Sequence, residues 1–144
     1  MTSPYAVPAH LPADFVRVRA YWSGLLRGNA EMPFWDDVKL TDLPDLVDTL
    51  FLIDVFGAPE RFRFNSVGKG ISGGAEPGRF LDEIELTGHL AFLRSQCSAT
   101  VESAATTFQG QEVRLPGARA YARLLLPMWG DGRVSMLLGA VDFG

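Results

Sequence analysis

The chain has 144 residues, 47% of them hydrophobic and 21% charged, with a formal net charge of −4. That is the composition of one folded globular domain with its own core, and the acidic balance argues against unspecific attraction to nucleic-acid backbones or anionic membranes. No apolar run approaches the ~20 residues of a membrane span, residues 1–12 show no secretory signal pattern, and Cys97, alone, precludes an internal disulfide and fits a cytoplasmic location.

Pro4, Pro8 and Pro12 make residues 1–12 an irregular arm, leaving 13–144 as a single domain. Over 14–27, Phe15, Val18, Trp22 and Leu25 recur at three- and four-residue steps, an amphipathic helix stopped by Gly28. Residues 32–39 read as loop. Thr41 and Asp42 offer caps to a short helix with Leu43, Leu46 and Val47, Pro44 being tolerable in its first turn. The apolar run 50–55 predicts a strand covered on both faces, and residues 57–60 have turn chemistry. Residues 61–67 then alternate, with Phe62 and Phe64 on one side and Arg61 and Arg63 on the other, closing a hairpin.

Residues 68–78 hold five glycines and predict no long regular element; residues 80–86 are ambiguous. Thr87 is expected to cap a helix to Ser103, with Leu90, Leu93, Cys97 and Val101 along one stripe. Three strands follow, over 105–114, 118–128 and 133–143, turned at Pro116-Gly117 and at Gly130-Asp131-Gly132.

Gly68-Lys69-Gly70-Ile71-Ser72-Gly73 spells a dinucleotide fingerprint, but its context is wrong. The strand before it is the second arm of a hairpin, and Gly74-Ala75-Glu76-Pro77-Gly78 cannot start the helix that a pyrophosphate needs. His89 on its helix is a candidate axial haem ligand or base, yet no partner stands at ligand spacing, so neither metal nor cofactor is expected. Cys97, on an apolar stripe, reads as a core thiol. The carboxylates Asp36, Asp37, Asp42, Asp45 and Asp48, and Asp82, Glu83 and Glu85, lack the pattern of a calcium loop and read as solvated surface. Arg119, Tyr121 and Arg123 alternate along one strand face beside Arg61 and Arg63, either to grip an anion or an acidic partner or as ordinary exposed decoration. No catalytic constellation emerges.

Tyr21-Trp22, Leu26-Arg27-Gly28, Leu43-Pro44, the run 50–55, Arg61-Phe62-Arg63-Phe64 and Val67-Gly68 occur in that order. The chain ends with Leu124-Leu125-Leu126-Pro127, Asp131-Gly132 and Met136-Leu137-Leu138-Gly139-Ala140. Together they resemble a family of small, mostly stand-alone bacterial PAS-like proteins, over roughly residues 18–142. The resemblance implies an α+β fold: a five-stranded antiparallel sheet in the order 2-1-5-4-3, with helices between the second and third strands and an N-terminal amphipathic helix. It implies sensing, small-molecule binding or dimerisation rather than catalysis. This chain departs from the family in having Asn65 before the Val-Gly pair and a short glycine-rich stretch, and Gly78-Arg79-Phe80-Leu81 lacks the cysteine of light-sensing flavin relatives.

A sensory or regulatory module is therefore expected, binding a small molecule or another signalling protein and forming a homodimer. From strand and helix alternation, Phe62, Phe64, Ile71, Leu93, Cys97, Ala122, Leu124 and Leu138 are the candidate ligand lining; a solid core made of the same residues is the competing reading. Phe15, Val18, Trp22 and Leu25 are the candidate dimer interface. The alternatives are a ligand-free interaction module and a small α+β enzyme using His89.

Overall fold

A computed structural model describes residues 5–71, 73–110 and 121–143. Helix α1 spans Ala13–Gly24, and strands β1 (Leu50–Phe56) and β2 (Arg61–Val67) form the expected hairpin. Helix α2 (Leu93–Ser103) is followed by β3 (Thr107–Gly110), β4 (Ala122–Gly130) and β5 (Arg133–Asp142). The five described strands pair antiparallel in one sheet of order β2-β1-β5-β4-β3. The chain is thus α+β, with α2 lying between the second and third strands. Residues 111–114 and 118–120 of the expected strands, and the Pro116-Gly117 turn, lie outside the described residues.

Residues paired directly across strands share a sheet face, so the registers sort the core into two layers. Phe51, Ile53, Val55, Phe62, Phe64, Thr107, Arg123, Leu125 and Leu137 face α2. Leu50, Leu52, Asp54, Phe108, Leu124, Leu126, Leu138 and Ala140 face the other way, where α1 lies and the Phe15 ring meets Phe108 edge-on at 6.2 Å. With helices on both sides, β4 and β5 are buried almost throughout, which is why their sequence is nearly continuous apolar.

Two backbone features depend on particular residues. Gly139 pairs with Phe51, and a Cβ there would overlap three carbons of the Phe51 ring; the absent side chain lets that ring lie flat on β5. Pro127 sits past the last β3–β4 pair, Thr107–Leu125, and its carbonyl accepts a hydrogen bond from the buried Trp22 indole at 2.9 Å, so α1 is tied to the sheet where β3 has ended.

Several expectations are corrected. The segment expected as a short helix near Leu43 is a pair of single 3-10 turns, Leu40–Asp42 and Val47–Thr49. Its bonds run only to the third residue (Leu43 to Leu40, Leu46 to Leu43, Thr49 to Leu46). Meanwhile Asp42 and Asp45 turn away to accept from Tyr21 and Arg17 of α1. A third pair, Arg27–Asp37, completes a polar seam between the first helix region and residues 37–45. Within the 32–39 loop, Trp35–Asp37 forms another 3-10 turn. Thr87 caps no long helix: a 3-10 turn at Gly88–Leu90 comes first, Phe92 adopts a left-handed φ of 64°, and α2 begins only at Leu93. The last turn is as expected, with Asp131 and Gly132 both at positive φ (52° and 77°), as a two-residue hairpin requires.

Candidate functional site

The layer between α2 and the sheet is where the sequence places recognition, and its chemistry centres on a residue read as exposed. Arg123 is fully buried. Its Nε donates to Gln96 Oε1 at 2.7 Å, and its two terminal nitrogens donate to the main-chain carbonyls of His89 at 2.8 Å and Ala91 at 3.1 Å. All three acceptors are neutral. Burial lowers the pKa of the guanidinium from its ordinary value, but arginine starts so high that it stays charged at neutral pH. Tyr121, also buried, sets its ring 6.0 Å from the guanidinium carbon.

The network extends inward. Gln96 Nε2 donates to Thr107 Oγ1 at 3.0 Å, the Thr100 and Thr107 hydroxyls lie 2.7 Å apart, and Thr100 also donates to the Gln96 carbonyl at 2.8 Å. Every member is buried and partnered, so the network joins α2 to β3 and β4. At the other end it fixes residues 89–91, next to Phe92. That ring is 64% exposed, and the Phe92 carbonyl accepts from Gln96 N at 2.9 Å. A bulky residue at positive φ is strained by roughly 1–3 kcal/mol. The Arg123 and Gln96 bonds on both sides of Phe92 are what hold it there.

Of the eight expected lining residues, Phe62, Phe64, Leu93 and Cys97 do meet in the layer under α2, all fully or almost fully buried. Ile71 is buried in the segment after β2. Ala122, Leu124 and Leu138 are corrected: β4 and β5 present them to the α1 side, one residue out of register with Arg123 and Leu137. Cys97 is fully buried, and desolvation pushes its thiol well above the ordinary range, so it is an inert core thiol.

The expected dimer residues are corrected too. Phe15, Val18 and Trp22 are buried in the chain's own core and Leu25 is partly buried against it, because α1 spends its apolar stripe on the sheet. Arg119 lies outside the described residues. Tyr121 and Arg123 do not join Arg61 and Arg63, which occupy the opposite sheet face. There Arg61 stacks 3.7 Å over Phe80 and pairs with Asp82, and Arg63 stacks 4.9 Å over Phe56 and pairs with Asp54. His89 stands on a 3-10 turn, not a helix, its ring edge-on to Phe143 at 5.3 Å. Gly68 and Gly70 donate their amides to the carbonyls of Leu50 and Asp48, both at 2.8 Å, and a Cβ on Gly70 would stand 2.8 Å from the Asp48 carbonyl. Those glycines permit close packing of chain on chain, and their amides are engaged within the fold.

Among the described residues, surface pockets lie outside this layer. One, of about 340 Å³, runs between the N-terminal arm and the outer side of α1, past Pro8, Leu11, Val16 and Ala20. Another, of about 290 Å³, is walled by Ala30, Glu31, Met32, Phe34 and Trp129. Among the described residues no group of three or more His, Cys, Asp or Glu is placed to hold a metal ion, and no helix is long and apolar enough to cross a membrane.

The buried polar network was missed by sequence reasoning, although a signal existed. Gln96 and Thr100 share the helical stripe of Leu93 and Cys97, and Arg123 interrupts an otherwise apolar strand. Polar groups at such positions must bond to one another. The chain matches no family model, no curated protein and no solved structure in the comparisons made.

Proposed function

We propose that the chain is a PAS-like recognition module that binds a small molecule or a partner protein and signals by rearranging the segment that leads into α2. The observation behind this reading is the Arg123 clamp: a buried cation holding the carbonyls of residues 89 and 91, beside a strained, exposed Phe92. The sheet order and the position of α2 between the second and third strands agree with the family resemblance.

In mechanism, the clamp is a two-state element. In one state the guanidinium holds the 89–91 carbonyls and presents Phe92 outward. In the other, those bonds are exchanged and the turn relaxes. A ligand entering the layer, or a partner seizing Phe92, shifts the balance only in so far as it binds one state better. Self-association would then use surface other than the buried stripe of α1.

A second reading, an interaction module without a ligand, is favoured by the dense filling of the layer by Phe62, Phe64, Leu93 and Cys97 and by the exposed rings of Phe34, Trp35, Phe92 and Trp129. Denaturing freshly purified protein and analysing the supernatant separates the two. A stoichiometric released small molecule is expected for the sensor. A clean supernatant, together with a partner captured through Phe92, would replace it with the interaction module.

A further inference from the structure

The pocket at the far end of β4 is walled by Ala30, Glu31, Met32, Phe34 and Trp129. Two aromatic rings line it, Phe34 and Trp129, 38% and 37% exposed, together with the buried Met32 and the small Ala30. The backbone sets these rings: Trp129 N donates to the Pro33 carbonyl at 2.8 Å, and Phe34 forms a parallel bridge with Trp129 beside β4. The pocket is thus built on a strand end and not on a loose loop. Glu31 is the one charged residue of its wall, and no hydrogen bond or ion pair engages it among the described residues.

Local charge has the same sign. Residues 27–37 contain Arg27 as the sole cation against Glu31, Asp36 and Asp37. Arg27 is matched by a bidentate bond to Asp37, at 2.9 and 2.7 Å, and lies 5.2 Å over the Phe34 ring. That ring already accepts a cation on one face.

We infer that this pocket binds a compact organic cation, a quaternary or methylated ammonium head group. Aromatic faces attract a positive charge through their quadrupole, and a methylated ammonium is hydrated weakly enough to leave water for them. Glu31 supplies the countercharge at the rim, and Met32 adds a polarisable floor. Volume agrees: about 290 Å³ admits such a head group and a few further atoms.

Choline is the probe, and 3,3-dimethylbutan-1-ol, its neutral carbon isostere, is the control. In a titration of the full chain followed by the Trp129 indole NMR signal, choline should shift that signal saturably. The alcohol should bind roughly tenfold more weakly, the difference that charge on an aromatic face makes. Glu31→Gln, at an exposed position, should weaken choline several-fold with unchanged circular dichroism, and Trp129→Leu should abolish the site. Equal binding of the alcohol would overturn the proposal, leaving a merely apolar pocket. So would the absence of any saturable shift up to about 50 mM choline, well beyond a millimolar site. Shifts that depend on protein concentration without ligand would mean that a second copy fills the pocket, and would also overturn it.

Discussion

Replacing Arg123 by methionine tests whether the buried network holds the turn before α2. The substitution removes one buried charge and keeps the apolar stem. It takes the guanidinium donor from three acceptors: the buried Gln96 Oε1 and the part-buried carbonyls of His89 and Ala91, the last of which also accepts from the Tyr121 hydroxyl at 3.5 Å. Losing a hydrogen bond of this kind costs about 1 kcal/mol, so three amount to about 3 kcal/mol. Relief of guanidinium desolvation returns part of this, and the expected net loss is about 2 kcal/mol in urea unfolding. Its location matters more than its size. Hydrogen exchange should rise at residues 88–96 and stay unchanged in the β1–β2 hairpin. Adding Gln96→Leu, which removes an orphan along with its partner, should cost less than the sum of the single changes. Uniform acceleration across the sheet, or strict additivity, would refute the coupling of Arg123 to that turn.

Three further outcomes follow from individual residues. Phe92→Gly relieves a left-handed φ of 64° while giving up a mostly exposed ring, so the variant should be between neutral and about 1 kcal/mol more stable; a clear loss would show that the ring packs. Gly139→Ala pushes a methyl into the fully enclosed Phe51 ring and should cost about 1–3 kcal/mol, read from the urea midpoint; a silent change would mean that β5 yields there. Hydrogen bonds from Arg17 and Arg61 hold the Asp45 and Asp82 carboxyls below the ordinary carboxylate pKa. The unfolded chain therefore takes up those protons first. The stabilisation is present above the unfolded pKa and is lost as pH falls through the folded one. Asp82→Asn should flatten the acid limb of a stability–pH profile, and an unchanged limb would contradict this.

Much of the architecture was legible because it is locally encoded. The β1–β2 hairpin has alternation, two apolar flanks and a turn between them, and Asp131-Gly132 specifies the last hairpin. The stripe of α1 was equally plain, but amphipathicity says only that Phe15, Val18 and Trp22 need cover, not whether the sheet or a second subunit supplies it. Register was the harder matter. Leu124 and Leu138 are as apolar as Leu125 and Leu137, and in strands buried on both faces no alternation marks which side is which. The start of α2 was misplaced because the break at Phe92 is imposed from β4, through Arg123, 31 positions later in the chain.

The central claim, that this fold acts by recognition, is tested most directly by a native mass spectrum of freshly purified protein over a range of concentrations. The account predicts species heavier than the bare 15.7 kDa chain, by the mass of a small molecule or of a whole further subunit. A bare single chain at every concentration would contradict both a bound small molecule and self-association.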